Sequence, residues 1–363
     1  MRQSGALPSQ IIEDLIAQER IYSLQPIPSA NIQPASLDLR LGSKGWRVGA
    51  TFLPRQGEPI SELLLNHALE SLDFSQPVVL QQGGTYVVEV EERFHLPSEI
   101  HAYANNKSTT GRMNVWTRVL ADGAPRFDKI PAGYQGKIYV MITPRSWPLK
   151  VRAGNTLNQA RFLCGDNHLL DFELEMLHQE SGLVFDAQGQ RLEALIENGL
   201  LLTVDLCQEV VGYRAIPCPV PVDLTDPTPQ PGRDYFEPIQ AQEGEVLLKK
   251  GEFYILSTRE YLRVPPGFAV EMVAYDIHSG EYRSHYAGFF DPGFGYGTQG
   301  ELRGTPAVLE VDAHEDVLFR HAQPICKMDF EHLLKMPEKL YGVQLNSHYQ
   351  GQRGPQLGRH FQL

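Results

Sequence analysis

No apolar run in the 363-residue chain approaches the roughly 20 residues a membrane-spanning helix needs. The opening MRQSGALPSQ holds no apolar stretch of signal-peptide type. Basic residues are in deficit: 32 Lys and Arg against 44 Asp and Glu give a formal charge of −12. That excludes a general nucleic-acid binder, whose surface is basic, but not a local basic pocket for a small anion. Cysteine is scarce. Cys164, Cys207, Cys218 and Cys326 are spaced too widely for a disulfide framework or a metal cluster. Reduced thiols in a cytoplasmic protein, with no membrane or nucleic-acid partner, are expected. The twelve histidines show no ligand spacing beyond a loose His314/His321 pair, so no structural metal is expected.

Three familiar motifs are present only in outline. Gly295-Tyr296-Gly297-Thr298-Gln299-Gly300 fits GxGxxG, but a strand follows it where a dinucleotide fold needs a helix, so a hairpin loop is expected. Asn106-Lys107-Ser108 is a formal glycosylation sequon without any sign of secretion. His178-Gln179-Glu180 resembles the start of a zinc-deaminase signature, yet Pro217-Cys218 is followed by Pro221 where a second cysteine should stand.

What the chain does have is length and apolar content for two cores: 42% of it is hydrophobic. It also repeats itself. Residues 78–88 lie over 246–256 without a gap, and the match runs on to Leu96-Pro97 over Val264-Pro265. Residues 149–159 lie over 318–328 in the same order. Ile12, Leu15 and Ile16, and Leu192, Leu195 and Ile196, each show the one-face spacing of a helix, with Ser9 as N-cap of the first and Asn198-Gly199 as stop of the second. Elsewhere short runs rich in Val, Ile, Tyr and Phe alternate with turn residues, as in 136–142 and 307–311. The fold class expected is mainly β with a few helices, a barrel or sandwich duplicated in tandem. The domains expected are 1–182 and 183–363. The proline-rich stretch 217–233 lacks linker composition and reads as an ordered arm.

Three clusters carry chemistry. Residues 105–112 pack Lys107 and Arg112 with Ser108, Thr109 and Thr110 beside a glycine, a set suited to phosphate oxygens. A polar turn would look the same. Asp291-Pro292-Gly293 makes a tight turn flanked by Phe289, Phe290 and Phe294, which can line a pocket for a base or sugar. Glu310 is a lone carboxylate in an apolar strand. It either faces solvent or is buried for proton transfer.

At these residues the sequence resembles the dCTP deaminases of the dUTPase-like superfamily, in a double-length form. Residues 32–42 (IQPASLDLRLG) are similar to the family's N-terminal signature. Lys107-Ser108-Thr109-Thr110-Gly111-Arg112 resembles its Arg-Ser-Ser-x-x-Arg phosphate motif. Phe290-Asp291-Pro292-Gly293 resembles its sugar-binding turn, and Glu310 stands at its catalytic glutamate. Tyr341-Gly342 and residues 347–355 resemble the segment that closes over the nucleotide, with His348 in place of the family's lysine.

The resemblance implies two dUTPase-like barrels and zinc-independent hydrolysis of dCTP to dUTP and ammonia, in the supply of dTTP precursors. Glu310 would be general acid and base, with Ser108 and Arg112 in the catalytic set. Lys107, Thr109, Phe290, Asp291, Tyr341, His348 and Gln352 would bind substrate, with Mg²⁺ on the triphosphate. Phe289 or Phe290 would exclude a 2′-hydroxyl. A homotrimer of two-domain chains would be the assembly. Alternatives are a dUTP pyrophosphatase or bifunctional enzyme releasing dUMP, and a nucleotide-binding regulator without turnover.

The halves differ in what they retain. In the first, 131–136 (PAGYQG) replaces the Asp-Pro-Gly turn, Asp128 lies out of register, and Met141 falls at the glutamate position. In the second, the phosphate motif survives only around Ser279 and Arg283. A composite site taking phosphate groups from the first half and Asp291 and Glu310 from the second is favoured over a self-sufficient second half using Ser279 and Arg283.

Overall fold

The computed structural model describes residues 4–274, 282–284, 288–342 and 349–363, with 274 and 282–284 as backbone alone. The chain is mostly β, in two tandem halves. In the first, a ten-stranded sheet centres on Gln135–Pro144, Thr85–His95, Leu37–Val48, Thr156–Cys164 and Ile100–Asn106, paired antiparallel in that order. Inward Leu, Val and Ile on these strands form one core, with Leu39, Val88, Val140 and Phe162 at its centre. In the second, Phe253–Leu262 pairs with Thr305–Ala313, and Pro324–His332 with Phe268–Ala274, around Leu256, Leu309, Met328 and Phe330. Among the described residues no helix is long and apolar enough to cross a membrane.

The strand registers expose the duplication. Val87 and Ile255 are matched by sequence. Opposite Val87 stands Met141, and opposite Ile255 stands Glu310. Met141 and Glu310 therefore occupy one position in the two halves. Glu92 and Glu260 match in the same way. Each is buried and accepts a backbone N–H from the neighbouring strand, Arg40 at 2.8 Å and Thr203 at 2.7 Å.

Two details of the sequence reading need correction. The second repeat is one residue out of register. Leu149 faces Leu80, whereas Leu80's counterpart Leu248 faces Val317, not Leu318. A one-residue slip would exchange the faces of the strand, bringing the exposed Leu318 to the place of the buried Leu149. Residues 192–196 are not helical either. Leu195–Ile196 is a strand paired with Leu200–Leu201 across a tight turn, where Asn198 and Gly199 take positive φ. Asn-Gly here is a hairpin signal, and the turn decides between two readings of a short apolar run. The first helix is present, Ser9–Ala17, but Pro8 precedes it and Ser9 caps nothing. The helix Asp171–Ser181 places Leu174 and Leu177 in the second core.

The arm 217–233 is ordered and crosses between the halves. Val222–Asp223 adds a parallel strand to Leu149–Val151, and Gln230–Pro231 pairs with the C-terminal Phe361–Gln362. Phe361 packs with Trp147, Tyr235 and Phe236 at ring distances of 5.1 to 5.9 Å. That anchor lays the C-terminal segment across the first half.

Candidate active site

Strand Ile100–Asn106 ends where Asn106 is buried and bonded to Val115 and Thr117, so the formal sequon has no exposed asparagine. The chain then turns into the single-turn helix Ser108–Gly111. This turn faces the second half. Its Gly111 packs closely: a Cβ there would lie 3.3 Å from the Glu310 carboxyl carbon. Gly288 answers it from the other side, since a Cβ there would meet Asn106 O at 2.9 Å and Ser108 Oγ at 3.0 Å.

Two adjoining cavities result. The larger, about 460 Å³, is lined by Lys107, Ser108 and Thr109 of the first half and by Phe289, Asp291 and Tyr341 of the second. The smaller, about 40 Å³, is bordered by Ser108, Arg112, Phe290, Glu310, Tyr341 and Gln352. Phosphate motif, turn, strand glutamate and C-terminal segment are thus brought together within one chain. Ser279 and His348 lie outside the described residues. Of Arg283 only the backbone is described, opposite Asp312.

Glu310 is 2% exposed, not solvent-facing. Its Oε1 lies 3.6 Å from Arg112 Nε, close enough for Coulombic attraction but too long for a hydrogen bond. Oε2 has no hydrogen-bond partner among the described residues. Burial pushes its carboxyl up to about 8, against the pull of Arg112. Asp291 is raised to about 6, again by burial, and Oδ1 is likewise unpartnered among the described residues. The unpartnered Glu310 oxygen marks a place where a ligand can supply a donor.

Both cations of the motif line the cavities and have partners within the chain. Lys107 forms an ion pair with buried Asp38 and donates to Thr156 Oγ1 at 2.9 Å, so its charge is already compensated. Arg112 donates to Gln356 O at 3.0 Å and Gln352 Oε1 at 3.3 Å, under the Tyr349 ring at 3.7 Å. Phe290 packs on Phe294 and borders the smaller cavity, whereas Phe289 borders both. Asp128 spends its carboxylate on the Val119 N–H.

Sequence reasoning missed Asp38, Arg161, Tyr349 and Arg359. Asp38 lay within a quoted motif, with no sign of which cation it would meet. Arg359 lines the larger cavity from the C-terminal segment. Away from the site, Asp205, Cys207 and His321 bring potential metal-ligand atoms within 4.8 Å of one another. His321 Nδ1 there accepts the Leu206 N–H at 3.1 Å, which engages that lone pair.

Comparison with known proteins agrees with this architecture. The model of the 2′-deoxycytidine 5′-triphosphate deaminase N-terminal domain matches residues 3–166, and that of the C-terminal domain matches 170–361. A crystal structure of 2′-deoxycytidine 5′-triphosphate deaminase from Agrobacterium tumefaciens superposes with a TM-score of 0.87 at 40% identity, covering 95% of this chain and 100% of the other. A dUMP-forming dCTP deaminase of Methanoculleus marisnigri is 32% identical over 190 residues, 52% of this chain and 93% of that one. A dCTP deaminase of Haloarcula marismortui is 26% identical over 144 residues, 37% of this chain and 67% of that one. With both family models matched end to end across a duplicated β fold, the chain belongs to the 2′-deoxycytidine 5′-triphosphate deaminase family of enzymes.

Proposed function

We propose that the chain hydrolyses dCTP to dUTP and ammonia at a site shared by its two halves, without zinc. The observation that carries the reading is Glu310: a buried carboxylate beside Arg112, with one oxygen unpartnered among the described residues, in a small pocket adjoining the nucleotide-sized cavity. Deamination needs one group that accepts and donates protons in turn, and a carboxyl raised toward neutrality does both. Glu310 takes a proton from the attacking water and gives it to N3 as the C4–O bond forms. It then moves the second water proton to the amino group, and the C4–N bond breaks to release ammonia. Ser108 orients the water. Arg112 keeps the carboxylate accessible near neutral pH.

Asp291 holds the deoxyribose, and Phe289 fills the space a 2′-hydroxyl would need. Ser108, Thr109 and the backbone of the short turn meet the triphosphate, with Tyr341, Gln352, His348 and Arg359 from the closing segment. Mg²⁺ enters as part of the substrate, offsetting triphosphate charge. A homotrimer, six barrels in two layers, suits the duplication.

A second reading has support from relatives: the Methanoculleus marisnigri protein, among others, is named dUMP-forming. One experiment separates the two. Pure protein is incubated with dCTP and excess Mg²⁺ while dUTP, dUMP, ammonia and pyrophosphate are followed together. Accumulating dUTP with equal ammonia is expected. Pyrophosphate appearing with dUMP establishes the bifunctional reaction, and binding without product establishes a regulator.

A further inference from the structure

We propose that Arg161, a residue of the first half, is the positioning residue that builds the sugar pocket of the second, by fixing Asp291 and Phe289. The inference rests on the reading of Asp291 as the group that holds the deoxyribose.

Arg161 sits mid-strand in Thr156–Cys164 and is fully buried. Everything its guanidinium reaches beyond its own half lies in the other. Nη1 donates to Glu331 at 2.8 Å and to Val270 O at 3.3 Å. The plane stacks over Phe289, 4.1 Å from the ring centre. Nη2 stands 3.7 Å from Asp291 Oδ1. Tyr103, opposite Arg161 on the paired strand, completes the arrangement: its ring meets Phe289 edge-on at 4.9 Å and its hydroxyl donates to Glu331 at 3.0 Å.

Packing does not explain this choice of residue. An apolar side chain would fill the seam without the desolvation penalty of a buried guanidinium. Arg161 Nε and Nη2 also have no hydrogen-bond partner among the described residues, nor does Asp291 Oδ1. A spare donor faces a spare acceptor at the wall of the cavity. Glu331 holds one edge of the guanidinium, which leaves the other to orient the Asp291 carboxylate. The second oxygen of that carboxylate can then accept from the sugar.

The test compares two substrates in several proteins. The ratio of kcat/KM for dCTP over 2′,3′-dideoxy-CTP reads the contact to the 3′-hydroxyl. A hydrogen bond to a charged acceptor gives wild type a ratio of about tenfold or more. Asp291→Asn should collapse that ratio. Arg161→Lys, which keeps charge but cannot span both acids, should collapse it too, with KM rising more than kcat falls. A merely structural Arg161 would lower both substrates equally and leave the ratio at its wild-type value. That result overturns the proposal while leaving Asp291's role intact. An unchanged ratio in Asp291→Asn overturns both together. Glu331→Gln gives an independent reading should Arg161→Lys fail to fold. It leaves Asp291 as the one anionic partner of the guanidinium among the described residues, so the ratio should rise above wild type, and an unchanged or collapsed ratio would count against Arg161.

Discussion

Glu310 and Met141 hold one position in two copies of a strand, and only Glu310 can carry a proton. Replacing it with Gln keeps the shape, so the proposed chemistry predicts a loss in kcat of about 10²–10⁴-fold with dCTP binding retained. The pH profile follows from its environment. The ionised form starts the reaction, so kcat/KM should rise with pH toward a midpoint near 8, and Glu310→Gln should lack that limb. Stability runs the other way. Between the ordinary glutamate value of 4.5 and about 8, the folded chain keeps a proton that the unfolded chain has released. Stability therefore falls as pH rises through that window. Melting curves of wild type and Glu310→Gln should diverge from about pH 5 to about pH 8.5 in favour of the variant. Gly111→Ala should lower turnover more than it lowers the melting temperature, because the atoms nearest the added methyl belong to the Glu310 side chain. Arg112→Ala should abolish turnover, and loss confined to Arg283→Ala would sink the composite site.

At the scale of elements, the C-terminal segment decides whether the cavity has a roof. Tyr349 and Gln352 cover Arg112, while Phe361 is locked among Trp147, Tyr235 and Phe236. Phe361→Ala removes that anchor at a cost of about 3 kcal/mol. The expected outcome is a higher KM for dCTP and faster proteolysis within residues 349–363, with the two cores still folded by circular dichroism. The strands were readable in the sequence because alternation and turn residues agreed along most of them. The run 192–196 was not, because five apolar and polar residues fit either period and only the Asn198-Gly199 turn separates them. Lys107, Glu310 and Asp291 were picked out by motif order, and all three line the two cavities. Asp38 and Arg161 were not picked out, because each owes its place to a partner distant in sequence, and Arg359 lies beyond the motif that ends at residue 355. A buried ion pair leaves no periodic trace.

For the whole molecule, the two halves meet through the site and not merely beside it. Lys107 to Arg112 and Asp291 to Glu310 converge within one chain. Mixing inactive Arg112→Ala chains with inactive Glu310→Gln chains should therefore restore no activity, even after unfolding and refolding together. Recovery toward one quarter of wild-type turnover or more would mean that the site forms between chains. Light scattering tests the proposed trimer directly. The shared position of Met141 and Glu310 also fixes a stoichiometry. A chain of two barrels offers a single carboxylate at that position, so on the proposed reading calorimetric titration should saturate at one nucleotide per 363 residues. Each active centre then takes 363 residues of polypeptide, so a given mass of this chain carries about half the centres that the same mass would carry if each barrel had one of its own.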